Sequence, residues 1–228
     1  MTKSVLNILF VFLLSCFAYA QNISIIKDSI CTSNECLELQ EMKMSPININ
    51  VYKKIQKSYD IFDGILFDDP EKRLNAKKDT LKRLISTNSL RDSQFGFEKY
   101  KIFFDKNGLL NLSVNIQSYG SPWEDAKYYL FDNKNNIEVG EKLFLNKEQL
   151  LKLCLIKLKV EEGGSFFINN LTQYKIKTNN VGKVEGISFI FYDEKNRTNS
   201  GYLKYPIFFT WKEIENFIVP QYRRRLSQ

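Results

Sequence analysis

The sequence predicts an α+β fold, a mainly antiparallel sheet with helices packed on one face or at one end. Three observations carry this. Helix-spaced apolar residues come early, strictly alternating runs follow on both sides of Asn107-Gly108, and helix-start signals recur where strand runs end. A wound α/β fold would alternate strand and helix regularly, and this order does not.

Residues 1–20 carry Lys3, an apolar run over 5–14 and Ala18-Tyr19-Ala20 ahead of Gln21, the three parts of a secretory signal peptide. Leu13-Leu14-Ser15-Cys16 offers a second reading as a lipobox, in which an acylated Cys16 would anchor the domain to a membrane surface. On either reading the address is extracytoplasmic, periplasmic or secreted. The apolar run is short of the roughly 20 residues that span a bilayer, so no transmembrane span is expected.

Residues 21–46 are polar and cysteine-bearing and read as a lead-in strand or loop. A single domain is expected over 47–220, followed by a basic tail over 221–228. Val51, Tyr52, Ile55, Tyr59 and Phe62 recur at helical spacing opposite Lys53, Lys54 and Lys57. A second helix starts at Asp68-Asp69-Pro70, where aspartate caps and proline fits the first turn, and ends over 86–89. Tyr100, Ile102 and Phe104 alternate before Asn107-Gly108; Leu110, Leu112, Val114 and Ile116 alternate after it, with Asn111, Ser113, Asn115 and Gln117 between them. This predicts a hairpin with one face buried and one wet. A third strand covers 126–131, ahead of a polar turn over 132–136.

Asn146 and Gln149 stand as a capping-box pair before Leu150, Leu151, Cys154, Leu155 and Leu158, which predicts a helix. Alternation of Ile156, Leu158 and Val160 with Lys157 and Lys159 leaves a strand open as well. Gly163-Gly164 breaks the segment. Residues 184–192 read as a buried strand, 193–201 as a turn and 202–209 as the returning strand. Thr210 and Glu213 form another capping box for a short terminal helix stopped by Pro220, and Arg223-Arg224-Arg225 reads as a frayed tail.

The chain has no histidine, which removes the commonest general base and the Ser-His-Asp and Cys-His arrangements. Asp68-Asp69, Glu124-Asp125 and Glu161-Glu162 are sequence neighbours, a spacing that sends strand side chains to opposite faces rather than into one acid/base dyad. Ser24 and Lys27 match a serine-lysine spacing without the partner motifs that chemistry needs. No phosphate loop or metal-ligand spacing is present, so no catalytic residue, cofactor or metal is assigned. Cys31 and Cys36 are spaced to pair in an oxidising compartment, whereas Cys154, among leucines, reads as a buried free thiol. The net charge of +7 comes from lysines spread along the chain, a distribution that usually marks a solvated surface; it leaves attraction to anionic partners outside the cell open, while export disfavours nucleic acid.

Leu112-Ser113, Tyr119-Gly120-Ser121, Phe131-Asp132, Gly140 and Leu143-Phe144, with Gly186-Ile187-Ser188-Phe189, Tyr192, Gly201, Tyr205-Pro206-Ile207 and Trp211 onward to Ile218, resemble a pattern of bacterial extracytoplasmic domains. It is similar to a domain family of unknown function in the outer portion of RsiV-type anti-sigma factors and beside the catalytic domain of some secreted peptidoglycan deacetylases. The resemblance runs over 46–218 and implies an α+β binding module without catalysis. The lysozyme sensing of the anti-sigma factors is not carried over, because lysozymes and this chain are both basic.

The expected function is therefore a non-enzymatic secreted or periplasmic binding module for a protein or anionic envelope component. An immunity or inhibitor protein against an exported toxin or wall hydrolase is the first alternative, a carboxylate-dependent hydrolase the second. Tyr119, Trp123 and Tyr128 are the candidate interface, since loops carry recognition and aromatics dominate hot spots.

Overall fold

A computed structural model describes residues 22–32, 36–90, 96–118, 123–162, 168, 170–198 and 201–227. The signal segment with Cys16, the Gly163-Gly164 break and Tyr119 lie outside the described residues. The α+β class holds: among the described residues, five helices accompany three antiparallel sheets.

The N-terminal segment differs from its sequence reading. It is a hairpin, β1 (Asn22–Cys31) and β2 (Cys36–Ser45), in register from Asn22 opposite Ser45 to Cys31 opposite Cys36. β2 faces inward, burying Leu37, Leu39, Met42 and Met44 together with Gln40 and Glu41. A disulfide joins Cys31 to Cys36, whose Cα atoms are 4.0 Å apart. A loop this short contributes about 2 kcal/mol on the chain-entropy view. Cys154 is free and buried, and burial pushes its thiol up to about 12, so thiolate is scarce. Non-reducing peptide mapping should therefore recover a Cys31–Cys36 bridge, with Cys154 reacting only after unfolding; a Cys36–Cys154 peptide would contradict both assignments.

Helix α1 (Ile49–Gln56) is shorter than its apolar spacing predicts. The Asn48 side chain caps it by accepting from Val51 N, and the side chain of Gln56, the last residue of the helix, clamps the loop that follows. Its Nε2 donates to Phe67 O at 2.7 Å and its Oε1 accepts from Phe67 N at 2.8 Å. Tyr59 and Phe62 fall in that loop. Helix α2 (Pro70–Ser86) follows the sequence reading, with Asp69 accepting from Lys72 N at 3.0 Å and Pro70 in the first turn.

Strands β3 (Gly96–Lys106), β4 (Leu109–Ser118), β5 (Glu124–Asp132) and β6 (Ile137–Glu138) form one sheet in chain order. The β3–β4 turn is Asn107-Gly108, with φ of 55° and 73°; two positive φ angles make the tight turn that suits hairpin twist. On one face Leu110, Leu112, Val114 and Phe131 pack with Met42, Met44, Val51 and Ile55 from β2 and α1. The other face is not wet, as the alternation suggested. Asn111 and Ser113 are buried there beneath a second sheet, and Asn111 docks it: Oδ1 accepts from Ile176 N at 2.7 Å and Nδ2 donates to Tyr174 O at 3.3 Å, while Nδ2 also donates to Tyr129 O of its own sheet at 2.8 Å.

The second sheet comprises β7 (Tyr174–Thr178), β8 (Val184–Thr198) and β9 (Gly201–Thr210). β8 continues through residues read as a turn, with a register irregularity between Asp193 and Arg197. Helix α3 (Lys147–Glu162) settles the helix-or-strand ambiguity in favour of helix; Leu150, Cys154 and Leu158 enter the largest core with Ile187, Phe189 and Ile207. Asn146 sits at φ 47°, outside the extended geometry of a capping residue, and contributes through its carbonyl, which accepts from Leu150 N at 3.1 Å. Helix α4 (Trp211–Ile214) has the expected Thr210/Glu213 capping box.

The basic tail is helical over most of its described residues. Pro220 opens, rather than stops, helix α5 (Pro220–Leu226), and Tyr222 and Leu226, one turn apart, are buried. Arg225 grips Asp132 with both terminal nitrogens, at 2.7 and 2.9 Å, while its Nε donates to Asn107 O at 3.0 Å. No helix among the described residues is long and apolar enough to cross a membrane.

Candidate ligand-binding site

Lysines from three strands meet where the two large sheets join. β3 carries a bulge: Ile102 pairs with Leu112 and Phe104 with Asn111, leaving Phe103 as the extra residue. Bulges re-aim side chains, and here the Phe103 ring stacks on Tyr128 of β5, with centroids 6.0 Å apart and planes 23° from parallel. Beneath this pair lie Ala126, Ile190 and Tyr192, whose hydroxyl donates to Ala126 O at 2.9 Å.

Lys101 of β3 stands 5.8 Å from the Phe103 centroid, and Lys175 of β7 lies 5.7 Å from both the Phe103 and Tyr128 centroids. Ring faces attract cations, but this is worth only about 0.5–1 kcal/mol at exposed sites and does not neutralise the charge. Lys175 is half-buried, and that burial, followed by the charges of Lys177, Lys101 and Lys204, lowers its pKa from the ordinary lysine value. Lys101, Lys177 and Lys204 are exposed. None of the four makes an ion pair with a described residue. Some lysines elsewhere do pair, Lys27 with Glu38, Lys53 with Asp68 and Lys54 with Glu138, so what sets these four apart is their gathering on one aromatic floor. The patch is thus a local excess of positive charge over an aromatic floor.

Lysine rather than arginine sets what it can bind. An ammonium is a compact point charge without the planar fork that matches a carboxylate in two places, so a lysine-only patch suits phosphate and other polyanions with little geometric selection.

The three aromatic interface residues fare differently. Tyr128 is 9% exposed and forms the floor of the patch, reached from above by Lys175. Trp123 is half-buried, edge-on to Tyr202 at 5.6 Å, and packs against the second sheet instead. Tyr119 lies outside the described residues. The lysines themselves were missed. β7 was not read from the sequence, although Tyr174 and Ile176 alternate with Lys175 and Lys177; Lys101 and Lys204 are far from it along the chain.

A second polar cluster is fully enclosed. Arg73 and Lys77 on α2 meet Glu41 of β2 and Glu98 of β3, all at most 1% exposed. Arg73 reaches Glu41 and Glu98 at 2.7 Å each, and Lys77 reaches them at 2.7 and 2.9 Å. Lys77 also donates to Gln40 O at 2.7 Å, and the Tyr100 hydroxyl donates to Glu41 Oε1 at 3.2 Å. Burial pushes the Glu98 carboxyl up, but Lys77 and Arg73 outweigh it and hold the group below its ordinary range. Two positive and two negative charges cancel and have no path to solvent, so this cluster fastens elements and offers no ligand a site. Among the described residues, no three or more histidine, cysteine or acidic side chains are grouped to hold a metal ion.

No family profile matches the sequence, and a search of curated proteins found no match. Solved structures are similar in fold. A DUF3298 family member from Bacteroides fragilis superposes with a TM-score of 0.54 at 10% identity, covering 91% of this chain and 98% of its own. A DUF3298 family protein from Pseudomonas aeruginosa gives a TM-score of 0.53 at 8% identity, covering 88% of this chain and 95% of its own. At such identities the likeness is one of fold: the chain has an architecture similar to that of proteins grouped as a domain family of unknown function.

Proposed function

We propose that this protein is a non-enzymatic extracytoplasmic binding module, and that its partner is an anionic, phosphate-rich component of the cell envelope held at the patch of Lys101, Lys175, Lys177 and Lys204. The observation that carries the reading is the gathering of four lysines, none ion-paired among the described residues, on the Phe103–Tyr128 floor. Leaving ammonium groups together is unfavourable without a counter-charge, and a polyanion supplies one. The signal segment and the Cys31–Cys36 bridge support an oxidising compartment outside the cytosol. The resemblance to the outer portion of RsiV-type anti-sigma factors favours binding over catalysis.

Long-chain polyphosphate is a direct probe. Its affinity should fall about fiftyfold or more between 50 and 200 mM salt, as expected when four lysines each displace a counterion. Reversing two exposed charges, Lys177→Glu with Lys204→Glu, should weaken binding by about tenfold or more while leaving the melting temperature within about 2 °C. Unchanged polyphosphate affinity in this folded variant would remove the patch as the binding surface.

A further inference from the structure

The geometry points to the free edge of β1 as a docking edge for an extended, acidic peptide segment of a partner protein, added as a third strand to the N-terminal hairpin. This surface is separate from the lysine patch and stands without it.

A strand at the edge of a sheet leaves half of its backbone N–H and C=O groups outside any ladder, and folded proteins blunt such edges. This chain does so elsewhere. The outer edge of β7 is closed by Asn111, which bonds Ile176 N and Tyr174 O. The edge of β3 meets the Gln40 side chain, whose Oε1 accepts from Tyr100 N at 3.0 Å. Where β6 does not cover β5, Gln173 Oε1 accepts from Tyr128 N at 3.0 Å and the Tyr192 hydroxyl donates to Ala126 O at 2.9 Å. β9 carries Pro206 and gives its Phe208 carbonyl to Lys157 Nζ at 2.9 Å.

β1 has none of these devices. It runs for 10 residues without proline or glycine and pairs with β2 alone, in an unbroken register. Ser29 N also donates to the neighbouring Asp28 Oδ1 at 2.7 Å; beyond this, no described residue bonds the β1 backbone from its other side. Nor do its charged side chains guard the edge, because Lys27 is held by Glu38 of β2 at 3.1 Å and Asp28 by Lys78 of α2 at 2.5 Å. Ile23, Ile25, Ile26 and Ile30 are half-buried and leave apolar surface for a strand laid alongside.

Charge selects the occupant. Lys78 and Lys82 of α2 act on Asp28, and Lys27 and Lys99 act on Glu38. Four cations thus surround two acids, and Lys82 and Lys99 have no ion-pair partner among the described residues. A strand bearing Asp or Glu supplies the missing charge, while its main chain gives affinity. A second copy fits worse, since β1 against β1 would bring two such lysine groups together on chains of net charge +7 each.

The test follows amide hydrogen exchange, residue by residue, in the full mature protein with an eight-residue peptide that alternates glutamate with valine. At saturation the peptide should slow exchange within β1 by about tenfold or more. A lysine-for-glutamate version, and one N-methylated at two adjacent central residues to interrupt donors on both of its edges, should each bind at least about tenfold more weakly. Lys82→Glu, an exposed change, should weaken the acidic peptide about fivefold and leave the melting temperature within about 2 °C. Equal protection by the lysine version would overturn the acidic class of partner. Protection of β1 that appears on raising the protein concentration alone would make a second copy the occupant and overturn the proposal. An unprotected β1 in a protein that still binds polyphosphate would overturn the docking edge and leave the lysine patch standing.

Discussion

Replacing Arg73 with methionine should lower stability by about 3–5 kcal/mol, the cost of breaking a buried ion pair and leaving its partner charge uncompensated. Arg73 is the one side chain that bonds both Glu41 and Glu98 through separate guanidinium nitrogens, so its loss strands two carboxylates beside a single ammonium, Lys77. In a protein of this size the melting temperature should fall by roughly 10 °C. The companion Glu98→Leu variant should cost a similar amount. Combining the two should cost much less than their sum, because each removes the other's unpaired charge. Additive losses in this thermal-melt cycle would show that the four groups do not act as a unit.

The second large effect concerns the C-terminal helix. Arg225→Ala should destabilise by about 2 kcal/mol, less than Arg73→Met, because Asp132 keeps hydrogen bonds from Asn135 Nδ2 at 2.7 Å and Lys134 N at 3.1 Å. Burial pushes the Asp132 carboxyl up, but Arg225 and Asn135 outweigh it and hold the group below the ordinary aspartate range. A carboxyl with a depressed folded-state pKa contributes stability that is complete above its unfolded pKa, near pH 4, and is lost as pH falls through the folded value. Denaturant titrations between pH 6 and pH 3 should therefore show a steeper loss for the wild type than for Arg225→Ala. Parallel curves would mean that the clamp contributes little.

These two sites also mark what the sequence conceals. The β3–β4 hairpin was legible because its period-two pattern and Asn107-Gly108 turn are local, as were the Asp69-Pro70 start of α2 and the Thr210/Glu213 box. The N-terminal hairpin was hidden because β2 places Gln40 and Glu41 at inward positions. A buried carboxylate there makes sense only with Arg73 and Lys77, which arrive from another element. Asn111 and Ser113 looked wet for the same reason: the sheet that covers them is built more than sixty residues later. Arg223-Arg224-Arg225 drew attention to charge, while the local signal was Tyr222 and Leu226 on one helical face behind Pro220. The lysine patch is the extreme case. Lys101, Lys175 and Lys204 look scattered until the bulge at Phe103 and the crossing of the two sheets bring them together.

The central claim is that this junction of sheets is where the protein meets its anionic partner. Its most direct test is residue-resolved chemical-shift mapping of the isotope-labelled protein during titration with polyphosphate. The largest, saturable changes should fall on Lys101, Phe103, Tyr128, Lys175, Lys177 and Lys204 and fade as salt is raised. Changes confined to Arg223, Arg224 and the N-terminal hairpin, with the Phe103–Tyr128 patch silent, would contradict it.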